Sequence, residues 1–258
     1  MKNFIEKNNI SNTLDRIEEE IQLTKTVKLP SMEYCQDYWN TSQTKVVVPS
    51  RHINSIKKAP ISPLIAISAM SAKENGYTVD GTGKGARIMN IRRLKKLHEN
   101  LTEIRNTKNC TINSHIKKLL ELRTKEFEFG TLETSKGKEE LYFKLDYSDG
   151  FVLLDLRVMH YMLTNYKDNI IQAYIIFLWN CRNGWSQLTR VPMAEHLGLS
   201  RNSEKQSKTI MDTLVHDGFI EQRKKHEKIQ IVDSKTGIPT TRVIPYYEYR
   251  VTIVDEIK

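Results

Sequence analysis

The chain has 258 residues, 39% of them hydrophobic, enough to bury a core in one large or two small domains, which excludes disorder throughout. Forty Lys and Arg against 31 Asp and Glu leave a net charge of +9, a balance that favours a polyanionic partner, nucleic acid first, and does not bear on fold. No apolar run approaches the roughly 18 residues of a membrane span, the opening Met1-Lys2-Asn3-Phe4-Ile5-Glu6 is not of signal-peptide type, and Cys35, Cys110 and Cys181 form no C-x-x-C pair. The expectation is a soluble, cytoplasmic protein with reduced, packed cysteines and neither a disulfide framework nor a zinc site.

Ile10, Leu14, Ile17 and Ile21 stand at spacings of four, three and four, with Arg16 and Glu18-Glu19-Glu20 on other faces, an amphipathic helix over residues 10–25. It is read as packing on its own domain, with helix-mediated homodimerisation as the alternative. Residues 28–61 mix Pro30, Pro49 and Pro60 with polar residues around a strand at Val46-Val47-Val48, and read as a connector or irregular edge. Ser62 as N-cap, Pro63 at the first helical position and Gly76 past the end then bracket a helix containing Leu64, Ile65, Ile67 and Met70.

After the glycine-rich residues 81–85, Ile88, Ile91, Leu94, Leu97 and Leu101 mark a second helix, with Arg92, Arg93, Lys95 and Lys96 turned off the apolar stripe. A third follows Asn106 to Asn109, with Thr111 as cap, Ile112, Ile116, Leu119 and Leu120 inward, and Asn113, Ser114, Lys117 and Lys118 outward. Phe127 and Phe129 mark one strand, Leu141, Phe143 and Leu145 another, and Ser135-Lys136-Gly137-Lys138 the turn between them.

The second half replays this order. Asp155 caps a helix with Leu156, Met159 and Leu163, and a very apolar helix runs from Asp168 to the Asn183-Gly184 turn. A short helix within residues 189–200, a polar helix with Ile210, Met211, Leu214 and Val215 stopping at Gly218, and two strands follow. Ile229 and Ile231 mark one strand, Tyr247, Tyr249, Val251 and Ile253 the other, with Ser234-Lys235-Thr236-Gly237 between them. The fold class expected is α+β, mainly α, with residues 1–50 an N-terminal helix and connector, 51–150 a first unit and 151–258 a second. The second unit carries its own central helix and hairpin and is expected to fold alone.

Three helices followed by a hairpin is the winged-helix arrangement, a winged form of the helix-turn-helix, and residues 189–220 resemble that family. The residues that carry the likeness are Ala194, Leu197-Gly198-Leu199-Ser200, Ile210 with Leu214, and Gly218-Phe219-Ile220. One departure stands out: the interval from Ser200 to Gly218 is longer by about a helical turn, and polar Ser207 occupies an apolar-anchor position. The resemblance implies a DNA-binding scaffold in which the second helix of the pair enters the major groove. Asn202, Lys205, Gln206 and Lys208 then suit base edges or phosphates, and Arg190 and Arg201 lie near helix starts, where a phosphate also meets free backbone N–H groups. In the first unit the equivalents are Asn113, Ser114, Lys117 and Lys118, with Arg92 and Arg93 as backbone clamps, and Lys136 and Lys235 mark the two wing turns.

Positive charge is concentrated in the first unit: residues 51–125 carry 16 basic and 5 acidic side chains, whereas residues 151–258 carry 15 and 12. Over residues 62–258 the chain resembles the tandem winged-helix replication initiators of theta-replicating plasmids, which implies DNA replication as the process, origin repeats in double-stranded DNA as the ligand and a host helicase or loader as partner. The rival expectation is a transcriptional regulator or a conjugation accessory protein that marks DNA without starting replication. No cofactor and no catalysis are expected. Residues 81–86 lack the spacing of a Walker A loop, and the seven histidines form neither H-x-H nor H-E-x-x-H.

Overall fold

A computed structural model of the chain describes residues 27–49, 61–70, 86–89, 91–106, 108, 111–115, 117, 127–133, 139–145, 151–200, 203–232 and 239–252. The helix expected over residues 10–25, Gly76, the glycine-rich residues 81–85, Cys110 and both wing turns lie outside the described residues.

The stretch expected as a connector contains a helix. Ser31 accepts the Tyr34 N–H at 3.2 Å and caps α1 (Met32–Trp39), and Asn40, at φ 47°, ends it by donating to the Asp37 carbonyl. Only Cys35 and Trp39 of this helix are buried, too few to give a readable period. Strand β1 (Lys45–Pro49) falls where Val46-Val47-Val48 places it and pairs antiparallel with β5 (Phe151–Asp155), Lys45 opposite Asp155 and Pro49 opposite Phe151. Val46, Val48, Val152 and Leu154 face inward from this two-stranded sheet, and Phe151 and Leu153 are exposed on its other side.

Between these strands lies α2 (Ile61–Met70), every residue of which is buried. It starts at Ile61, so Ser62 is not its N-cap. A hydroxyl enclosed on all sides needs an acceptor, and Ser62 Oγ donates to Asp168 Oδ1 while Ser68 Oγ donates to the Val47 carbonyl at 2.7 Å. Strand β2 (Ala86–Met89) precedes α3 (Ile91–Arg105), which corrects Ile88 from helix to strand, where it pairs with Tyr142. Leu97 and Leu101 are fully buried on α3, and Lys95 and Lys96 are exposed. Residues 111–115 are helical, with Thr111 their first residue, Ile112 buried, and Asn113 and Ser114 exposed. Strands β3 (Phe127–Glu133) and β4 (Glu139–Leu145) pair as expected, and β4 is central in the order β2-β4-β3.

The Asp155 carboxylate accepts the Arg157 N–H at 2.9 Å and caps α4 (Leu156–Asn165), and α5 (Asp168–Asn180) runs on to the turn at Gly184. Next come β6 (Ser186–Gln187), α6 (Arg190–His196), α7 (Glu204–His216), β7 (Ile220–Val232) and β8 (Pro239–Val251), with β8 central in the order β6-β8-β7. Among the described residues, from α2 to β4 and from α5 to β8 the chain thus repeats helix, strand, helix, helix, strand, strand, each time with the last strand in the middle of its sheet.

The three segments read from the sequence share one core. α2 packs on β1, α3, α4 and α5, α1 packs on α4, and a continuous apolar cluster runs from Val27 to Tyr249. In residues 151–258 taken alone, α4 and β5 would lose the neighbours that cover them here. Tyr38 Oη donates to the Asn100 carbonyl at 2.9 Å and Asn100 Nδ2 to the Tyr38 carbonyl at 2.5 Å, joining α1 to α3. Beside that link, His160 of α4 is boxed edge-on by Tyr34 at 5.3 Å and Tyr38 at 4.9 Å, and burial holds its imidazole below the ordinary value of 6.5.

Truncating Ile65 to Ala at the centre of α2 is expected to cost about 2–5 kcal/mol in urea unfolding, and residues 151–258 alone are expected to lack a cooperative transition. Because His160 binds a proton less readily folded than unfolded, its contribution is complete above pH 6.5 and is lost as the pH falls. Unfolding free energies at about pH 7.5 and about pH 5.5 should show a smaller loss for H160F than for the parent chain; equal losses would remove His160 from the acid response.

Candidate nucleic-acid interface

The turn between α6 and α7 is set by Gly198, whose φ of 68° lies in the left-handed region that glycine occupies without steric cost. That conformation lets the Leu199 N–H reach the Ala194 carbonyl at 2.8 Å, over a floor of Met193, Ala194 and Leu197. Helix α7 turns Ser207, Ile210, Met211 and Leu214 inward, a period of three to four that leaves Glu204, Lys205, Gln206, Lys208, Thr209 and Asp212 exposed.

Ser207, the polar departure from the apolar anchor pattern, is indeed on the inward face and fully buried. Its hydroxyl lies 3.1 Å from the Arg190 carbonyl of α6 and also within reach of the Ser203 and Glu204 carbonyls of its own turn. The hydroxyl thus does by hydrogen bonding what an aliphatic anchor does by packing, and it fixes the register of α7. The exposed face carries Lys205 and Lys208 against Glu204 and Asp212, so it is polar with little net charge.

Helix α7 ends at Gly218, where φ is 75° and the next N–H, of Phe219, returns to the Leu214 carbonyl. Phe219, fully buried, packs against Tyr161, Tyr166 and Tyr174 with ring centroids 5.6 to 5.9 Å away and anchors the hairpin at its base. Strands β7 and β8 are 13 residues each, so the hairpin begins at Ile220, well before the Ile229 and Ile231 that signal it in the sequence. On one face near its base, Arg223 pairs with Glu248 at 2.6 Å and Arg250 with Glu221 at 2.8 Å, and both guanidiniums lie over the Trp185 ring. On the other face Tyr249 packs against Phe177 with ring centroids 5.3 Å apart, and alternation carries that face outward through Tyr247 and its opposite Lys224, then His226 and Lys228. Lys224, His226, Lys228 and Tyr247 are exposed.

No known protein family, characterised protein or solved structure matches the chain. Among the described residues, no group of His, Cys, Asp and Glu is placed to hold a metal ion, and no helix is long and apolar enough to cross a membrane. Cys35 and Cys181 are free and buried, and burial pushes both thiols up to about 11, which makes them poor nucleophiles.

Of the residues singled out from the sequence, Lys205, Gln206 and Lys208 share the exposed side of α7, and Arg190, also exposed, opens the neighbouring α6. Asn113, Ser114 and Lys117 are exposed on the helical segment after α3. Arg92 and Arg93 belong to the first turn of α3, their side chains outside the described residues, as are Lys118, Lys136, Arg201, Asn202 and Lys235. The sequence pattern points to Lys235 for the wing and to the basic cluster Arg223-Lys224-Lys225, and passes over His226 and Lys228. Their alternation is legible in principle, but charged residues on both faces of β7 hide the period that apolar residues would show.

Replacing Lys205, Gln206 or Lys208 with Ala is expected to move stability by no more than about 0.5 kcal/mol. S207V should cost about 0.5–1.5 kcal/mol by removing the bond to α6. Thermal unfolding of the four variants checks this contrast, and a neutral S207V would detach the hydroxyl from the register of α7.

Proposed function

We propose that this protein is a sequence-specific double-stranded DNA-binding protein with two winged-helix units in tandem, acting as a replication initiator on a plasmid or similar mobile element. The observation that carries the DNA-binding reading is the repeated order of helix, strand, helix, helix and two strands with the same strand order, which leaves α7 and the segment at 111–115 as the reading helices. A helix of that width fits the major groove, where amide and hydroxyl side chains address base edges. Gln206 in one unit and Asn113 in the other are the base-reading candidates, with Lys205, Lys208, Ser114 and Lys117 beside them.

The balanced charge of the α7 face leaves general attraction to DNA with other groups. Arg190 at a helix start, Lys224 and Lys228 on the hairpin and the basic stretch of residues 51–125 supply it, by displacing counterions from the phosphates. Two reading units on one chain suit repeated origin sequences, because linkage raises the effective concentration of the second unit. The initiator reading, with a host helicase or loader as partner, rests on this tandem arrangement and on the resemblance to theta-type plasmid initiators. A regulator is the other outcome of the test.

Titration of a labelled duplex across salt should give a steep negative log-log slope, made shallower by about 0.9 for each phosphate that K224A or K228A no longer neutralises. Q206A should lower the preference for the selected sequence over random DNA by about 1–3 kcal/mol. On a supercoiled plasmid carrying the selected repeats beside an AT-rich tract, an initiator is expected to make the tract's thymines reactive to permanganate. Tight binding without that opening would leave a regulator, and a flat salt response would end the nucleic-acid reading.

A further inference from the structure

We infer that Arg105 fixes the orientation of the two units relative to each other and so sets the spacing between the two DNA subsites one molecule accepts, an inference that in its second half rests on the proposed DNA binding. Arg105 is the last residue of α3, in the first unit, and its guanidinium reaches the junction of α4 and α5. Nη1 donates to the Leu163 carbonyl at 3.0 Å and to the Tyr166 carbonyl, and Nη2 donates to Asp168 Oδ1 at 2.7 Å. The two carbonyls belong to the end of α4, where unsatisfied C=O groups and the helix dipole favour a cation. Asp168 Oδ1 also accepts the Ser62 hydroxyl from α2, so two elements of the first unit converge on one carboxylate at the start of α5.

The link continues to the candidate reading helix. Tyr166, whose carbonyl accepts from Arg105, donates its hydroxyl to Asp217 Oδ2 at the C-cap of α7, and the other oxygen, Oδ1, lies 2.9 Å from His216 Nδ1. The remaining packing of α2 on α4 and α5 is apolar, and because the apolar attraction itself is non-directional, the hydrogen bonds supply the directional part of the junction. A planar fork held by three acceptors is directional, and a lysine, with one compact ammonium, cannot hold the same set. Arg105 is thus a positioning residue: it touches no DNA in this reading and acts through Tyr166 and Asp217.

Spin labels at N113C and K208C, both exposed, in a C110S chain report the separation of the units and its spread without any DNA. Pulsed dipolar spectroscopy should give one narrow distance distribution with Arg105 present and a broadened one in R105A and R105K. The second arm uses duplexes carrying the two sequences selected by the parent chain, with base pairs inserted between them. Insertion is expected to weaken the unlabelled parent about tenfold or more and R105K by less than about threefold, because a looser junction lets the second unit follow its displaced subsite. If R105A does not fold, R105K, which keeps the charge, decides. A narrow distribution and an unchanged spacing preference in folded R105K overturn the inference. A parent chain that selects no paired sequences overturns the DNA reading and the spacing claim with it, while the label distances still decide whether Arg105 orients the units.

Discussion

The complete burial of α2 is the constraint from which the rest of the architecture follows. A helix apolar on every side cannot lie on a surface, so it must be enclosed, and among the described residues α1, β1, α3, α4 and α5 are the elements that pack on it. Ile61, Leu64, Ile65 and Met70 each remove a whole side chain from water, worth about 1.5–3 kcal/mol apiece. Enclosure also dictates the polar chemistry around the helix. Ser62 and Ser68 need acceptors, and meeting that need places Asp168 and the Val47 carbonyl, which brings the start of α5 and the β1–β5 sheet to opposite parts of the same helix.

Rigidity and exposure are divided between the base and the outer part of the hairpin. At the base, Phe219 in its aromatic surround, Cys181 donating to the Tyr249 carbonyl at 3.3 Å, and the two guanidiniums over Trp185 hold the strands by several independent means. Each surface ion pair is worth only about 0.2–1 kcal/mol, so the apolar anchor carries most of the fixation and the charged pairs refine the register. From Lys224 to Lys228 the side chains of β7 are exposed to solvent. A stiff base with a polar extension suits a hairpin that meets a ligand rather than one that completes a core.

The elements legible in the sequence are those whose periodicity is unmixed: the Val46-Val47-Val48 strand, the helix from Asp168, and the Asp155 and Gly218 boundaries. What escapes has identifiable physical causes. α1 buries Cys35 and Trp39 alone and leaves no stripe, Ile88 lies close enough in phase to the α3 apolar positions to be counted with them, and Ser62 has the residue type of a cap but the position of a core residue. The exposed side of α7 is readable because Ile210, Met211 and Leu214 define its inner face, and Ser207 takes its place in that face through a bond to Arg190 that no single-residue pattern announces. The contribution of β1 to the second half is illegible for a different reason. Pairing between distant segments leaves no mark on either of them.

That pairing has a consequence for synthesis. The partners of Val46 and Val48 are Leu154 and Val152, so β1 leaves the ribosome about a hundred residues before the strand that completes it, a wait of about 5–20 s at ordinary elongation rates. For most of that interval α2 has also been made, and its enclosing helices α4 and α5 have not. The first half of the nascent chain therefore carries its most apolar described helix with only part of its cover, and productive folding depends on keeping the uncovered part from other chains until residue 180 has emerged. The fold is closed by its second half, and the order of synthesis makes that closure a late event.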